Sequence, residues 1–170
     1  GKSSSLCKPV KLYLTKDYMI KYITGDVFTS KANIIAHVCN CRGGFGAGIA
    51  LQVAKLYPKA KDMYMKKFQD EGWRVGEVQI VSVGNHRFIA NCATQDKYGS
   101  PKGGKVYVSY PGLKAVMKEL KEICLDNNWT LAMPKIGSDL AGGDWNQIEQ
   151  IINEVFGEME VEVYIYPGKK

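Results

Sequence analysis

Apolar positions along the chain switch between two periods, and the switches mark out its elements. Asn33 to Val38 (Asn-Ile-Ile-Ala-His-Val) is a short apolar run with β-branched residues, which predicts a buried strand. Leu12-Tyr13-Leu14, Tyr18 to Ile23, Trp129 to Met133 and Val161 to Tyr166 read as further strands. Glu77 to Val83 and Arg87 to Cys92 read as a strand pair around the turn Gly84-Asn85-His86. Helical spacing appears in Ala47 to Leu56 and again in Ala60 to Phe68, with Pro58 restarting the chain between them. Pro111 to Asp126 is a strong amphipathic helix with Leu113, Val116, Met117, Leu120 and Ile123 on one face, and Trp145 to Phe156 is a last helix. Strands thus alternate with helices through most of the chain. This predicts an α/β fold in three layers, α/β/α, around a central mixed, largely parallel sheet.

Composition adds bounds rather than a function. A chain of 170 residues with 45% apolar and 24% charged residues fits one ordinary globular domain, expected over residues 11–170 behind a flexible tail at 1–10. No apolar run approaches the roughly 20 residues of a membrane-spanning helix, so no membrane partner is expected. Five cysteines give no even-numbered disulfide framework, which points to a reducing, cytoplasmic setting. The net charge of +6 suits an anionic partner. Much of it is dispersed, however, and Lys55, Lys59, Lys61, Lys66 and Lys67 fall on predicted helices as solvated faces. Nucleic acid is therefore the outside alternative, and the expected state is a monomer.

Ligands of open α/β sheets bind beyond the carboxyl ends of the strands, so the loops after Val38 and Met133 are the places to look. Both are rich in glycine. The first is Asn40-Cys41-Arg42-Gly43-Gly44-Phe45-Gly46-Ala47-Gly48-Ile49, and the second is Pro134-Lys135-Ile136-Gly137-Ser138-Asp139-Leu140-Ala141-Gly142-Gly143. Each runs from a strand into a helix, where free backbone N–H groups and the helix dipole favour an anion. One such loop is explained about as well by a plain structural turn. Two on one sheet edge suggest a ligand with several phosphate or hydroxyl groups along its length. Neither loop is a P-loop, and the spacing of Gly44, Gly46 and Gly48 does not match a dinucleotide fingerprint.

Several ordered motifs carry a resemblance. Gly25-Asp26-Val27, Ala36 to Cys41, the Gly43–Ile49 loop, and Met133 to Ser138 followed by Trp145 are together similar to macrodomains. The likeness covers about Tyr22 to Tyr166. It is strongest to the branch of ADP-ribose-1''-phosphate phosphatases and terminal ADP-ribose protein glycohydrolases. It implies that Asp26 accepts from the adenine amino group with Val27 beside it, and that Asn40 bonds the distal ribose. It implies further that Gly44, Phe45, Gly46, Ala47, Gly48 and Ile49 enclose that sugar, while Ile136, Gly137, Ser138, Asp139, Leu140, Ala141 and Gly142 wrap the phosphates. Tyr164 would stack on adenine, with Tyr166 on the same strand face as the alternative.

The resemblance also implies a functional histidine at His37, where an acid/base near neutral pH would serve phosphomonoester hydrolysis. A buried histidine satisfied by its surroundings is the competing reading. Asn40 and Asp139 complete the expected catalytic set, although a carboxylate at 139 departs from the small residue usual in the family. The aspartate of the glycohydrolases falls on Ala141 here, and their lysine has no clear match in Thr94–Lys97. Asp144, three residues before Gln147, reads as a capping box. His37, Cys39 and Cys41 could share one strand face, but no second cluster offers a fourth ligand. Neither a metal nor a cofactor is expected. The expected partner is ADP-ribose or ADP-ribose-1''-phosphate, with turnover of the latter. The alternatives are a reader of free or protein-linked ADP-ribose and an ADP-ribosyl-protein hydrolase.

Overall fold

The computed structural model describes residues 20–99, 102–138 and 141–167. The expected strand at Leu12–Leu14, and Asp139 and Leu140 of the second loop, lie outside the described residues. Six strands form one sheet in the order β1-β6-β5-β2-β4-β3, with β1 Ile20–Thr24, β2 Ile34–Cys39, β3 Val78–Ser82, β4 Phe88–Ala93, β5 Leu131–Pro134 and β6 Val161–Ile165. Every neighbouring pair is parallel except β3 and β4, which form the antiparallel hairpin expected around Gly84-Asn85-His86. Four helices cover the sheet: α1 Gly48–Leu56, α2 Pro58–Asp70, α3 Tyr110–Asn127 and α4 Trp145–Phe156.

The two faces of β2 explain why its sequence is apolar throughout. Ile34 and Ala36 pack into one core with Leu113, Met117 and Leu120 of α3 and Ile148 and Ile152 of α4. Ile35 and Cys39 point the other way, into a second core with Val53 of α1 and Ala60 and Tyr64 of α2. A strand covered on both sides has no use for polar alternation.

Local chemistry fixes the ends of the helices. Pro58 sits in the first turn of α2, where its missing N–H costs nothing. Ser109 caps α3 through the Gly112 N–H, and Asn128 closes it in the left-handed region at φ 56°. Asp144 caps α4 by accepting from the Asn146 N–H. The other half of the expected capping box differs, because the Asp144 N–H donates to the Tyr110 hydroxyl at 2.9 Å rather than to Gln147.

This topology decides where the site sits. From β2 the chain passes through α1 and α2 to the β3–β4 hairpin on one side, and then through α3 to β5 on the other. The five parallel strands therefore send their carboxyl ends to one edge. The order reverses at β2, which opens a crevice there.

Candidate functional site

At one end of this edge the Gly25 N–H donates to the Ile165 carbonyl at 2.9 Å, extending the β1–β6 ladder by one step. Asp26 follows and caps the 3-10 turn Val27–Thr29, its Oδ1 accepting from the Phe28 N–H at 3.0 Å. One carboxylate oxygen thus holds the turn, and the other takes no bond from the described residues. Tyr164 packs alongside: a Cβ on Gly25 would stand 3.9 Å from its ring. Its hydroxyl donates to Glu162, which also accepts from Ser30. Tyr164 is 8% exposed and Tyr166, just past the strand, 51%, so they offer a fixed wall and a free ring respectively.

The Asn40 side chain organises the first loop. Its Oδ1 accepts from the N–H groups of Arg42 (2.9 Å) and Gly44 (3.1 Å) and from the Tyr64 hydroxyl (3.0 Å), while Nδ2 donates to the Gly44 carbonyl (2.7 Å). The amide oxygen is therefore committed to the loop, and one Nδ2 hydrogen remains for a ligand. Tyr64 is buried, and its hydroxyl also accepts from the Gly43 N–H. From outside, Arg42 grips Asp96 with two bonds of 2.9 Å, joining this loop to the one after β4. Gly44 lets the Tyr98 ring lie directly on the backbone, because a Cβ would come within 2.8 Å of it. The loop enters α1 at Ala47 with no side-chain cap, so the first N–H groups of that helix stay open toward the crevice.

In the second loop Gly137 adopts φ 79°, which suits glycine, and its carbonyl accepts from the Gly143 N–H at 2.9 Å. Ser138 Oγ donates to the Lys135 carbonyl, and the Ala141 carbonyl accepts from the N–H groups of Tyr107 and Val108. The loop is thereby closed on itself and tied to the segment before α3.

A single cavity of about 820 Å³ connects these parts, within the size range of small-molecule sites. Its wall includes Asp26 and Val27 at one end, Asn40, Gly44, Gly46, Ala47, Gly48 and Ile49 at the other, and Ile136, Gly137, Ser138, Ala141 and Tyr164 between them. Phe45 and Gly142, expected at the ligand, do not line it. Phe45 turns inward, with its ring 5.4 Å from His37 and 5.0 Å from Tyr64.

His37 requires a correction. It has no exposed surface and does not line the cavity; its ring lies behind Phe45. Its Nε2 stands 2.6 Å from Asn91 Oδ1, while Asn91 Nδ2 donates to the Ala60 carbonyl and Gln79 Oε1. That network leaves Asn91 Oδ1 as acceptor and His37 Nε2 as donor. Burial holds the imidazole neutral, lowering its pKa to about 4. An acid/base must reach its substrate, and this histidine does not. The competing reading, a satisfied interior histidine, is the one the geometry matches. Cys39 does reach the wall, but burial raises its thiol well above the usual range, so it carries no thiolate.

Gln52, Gln95, Tyr98 and Lys135 also line the cavity, and none was singled out from the sequence. Gln95 and Tyr98 come from the loop after β4. That loop also follows a parallel strand and carries Gly99, Gly103 and Gly104, so it offered the same signal as the other two.

A family model described as "Macro domain" matches residues 36–152. The chain is 29% identical to the ADP-ribose 1''-phosphate phosphatase of Lodderomyces elongisporus, over 86% of this chain and 98% of that protein. It is 28% identical to the DNA ADP-ribosyl glycohydrolase of Mycobacterium tuberculosis over 88% of this chain, but spans only 42% of that longer protein. Among solved structures, the macrodomain of Mycobacterium tuberculosis DarG superposes with a TM-score of 0.75 at 26% identity, covering 88% of this chain and 98% of that one.

Proposed function

The chain belongs to the Macro domain family, and on that premise we propose that it binds ADP-ribose and hydrolyses ADP-ribose-1''-phosphate to ADP-ribose and phosphate. The observation that carries the reading is the shared cavity: both glycine loops, the open start of α1 and the Asp26 carboxylate face one space. In this reading the free oxygen of Asp26 accepts from the adenine amino group. The Gly137–Ala141 backbone and the first amides of α1 hold the diphosphate, and the remaining Nδ2 hydrogen of Asn40 orients the distal ribose.

Hydrolysis breaks the bond between phosphorus and the 1'' oxygen and joins a water oxygen to phosphorus. The amides of the first loop stabilise the charge on the departing phosphate. Asp139, a member of the expected catalytic set, takes the acid/base role expected of His37, and His37 is a positioning residue that braces Phe45 beneath the loop. The near-complete overlap with relatives named as ADP-ribose 1''-phosphate phosphatases supports turnover over binding alone.

Two measurements on one preparation test this. Calorimetry is expected to show stoichiometric ADP-ribose binding that weakens about tenfold in Asp26→Asn, because an amide nitrogen then faces the adenine donor. Phosphate release from ADP-ribose-1''-phosphate is expected in the wild type and abolished in Asp139→Ala. Binding without release would leave a reader of ADP-ribose. Absence of binding would end the proposal.

A further inference from the structure

Among the described residues lining the cavity, Lys135 is the one cationic side chain and Asp26 the one carboxylate. ADP-ribose as placed above makes no demand on this lysine. Backbone amides take the diphosphate, and Asp26 takes the base. We infer that Lys135 forms a further anion subsite for a phosphate carried on the ribose of the adenosine half, so that the preferred ligands are 2'- or 3'-phosphorylated forms of ADP-ribose. The inference rests on the ADP-ribose reading and sharpens it.

Its position along the cavity follows from strand register together with the direction of its side chain. Pro134 pairs with Tyr164, so Lys135 continues β5 beside Ile165, whose carbonyl accepts the Gly25 N–H. By strand order Lys135 stands between the two ends: β6 separates it from Gly25-Asp26, and the Asn40–Gly44 loop leaves from β2, its other neighbour. The side chain decides between them, because it leans toward β1. Its Nζ stands 5.4 Å from the centroid of the Trp145 ring. Trp145 is itself fixed, its Nε1 donating to the Tyr22 hydroxyl of β1 at 3.1 Å, and Tyr22 is bonded in turn to Glu149. An aromatic face holds an ammonium in place without neutralising it. Among the described residues no carboxylate pairs with Lys135, so its charge is left for a ligand. On that side of a bound ADP-ribose, the groups that can carry an added phosphate are the hydroxyls of the adenosine ribose.

The test compares ADP-ribose with ADP-ribose 2'-phosphate by calorimetry. The wild type is expected to bind the phosphorylated ligand about fivefold more tightly at low salt, as one partly exposed ion pair provides, with the preference shrinking as salt is added. In Lys135→Gln the ratio of the two affinities should fall to about one, and Lys135→Arg should restore it. Equal affinities in the wild type, or a preference that survives Lys135→Gln, would overturn the subsite while leaving ADP-ribose binding intact. Failure of both ligands to bind would overturn the subsite and the ADP-ribose reading together.

Discussion

His37 shows how far a single residue can be read from its neighbours in sequence. Its place on an apolar strand, three residues before Asn40, is compatible with either catalysis or burial. What decides is contact with Phe45 and Asn91, residues 8 and 54 positions away, which no local pattern encodes. Asp26 was more legible, because a Gly-Asp pair at the end of a strand restricts what the carboxylate can do. The burial of His37 has a consequence for stability. Its folded pKa of about 4 lies below the ordinary 6.5, so between those values the unfolded chain binds more protons than the native one. The histidine leaves stability untouched above about pH 6.5, and stability then falls as pH drops toward 4, by on the order of 3 kcal/mol. Urea melts of wild type and His37→Gln from pH 7.5 to 4.5 should therefore converge toward acid, with the wild type losing more. Parallel curves would mean that the imidazole is not held neutral.

At the scale of elements, helix α4 begins and ends where the periodicity places it, and α3 extends one residue beyond its expected limits at each end. The loops between elements were legible as glycine-rich strand-to-helix connections but not as structures. Their conformations come from long-range bonds such as Tyr64 to Asn40, and from close approaches that only a missing Cβ permits. Two glycines of similar sequence context separate on this point. At Gly143 a Cβ would lie 2.5 Å from the Gly137 carbonyl oxygen and 2.7 Å from Val108, so alanine there must push the phosphate loop apart. At Gly46 nothing lies within 4 Å of that position. Gly143→Ala is expected to cost about 1–3 kcal/mol, as overpacking does, and to weaken ADP-ribose binding through the displaced loop. Gly46→Ala should change stability by less than about 0.5 kcal/mol. Thermal melts of the two variants check the contrast, and equal losses would contradict the close packing of the second loop.

For the whole molecule, the sequence carries the layer architecture because alternation of strands and helices forces it. The order of the strands is a tertiary property, set by which face each helix covers, and only that order shows that five loops share one edge. Placing them together explains how a basic chain can hold an anionic ligand without a basic cleft. The cavity wall has one lysine and one aspartate among its described residues, and in the proposed binding mode its attraction for the diphosphate comes from oriented backbone amides. Long-range charge plays a small part in such a site. Binding to nucleic acid would instead draw on the dispersed lysines and collapse with salt. Saturating ADP-ribose, at roughly 100 times its Kd, should stabilise the fold by about 2.7 kcal/mol. For a domain of this size that raises the melting temperature by roughly 5–10 °C. The shift should persist when salt is raised from about 50 to 200 mM, a change that costs a protein with six to ten phosphate contacts about a thousandfold or more in DNA affinity. A shift that vanished over that range would place the ligand on the lysine-bearing surface and not between the two glycine loops.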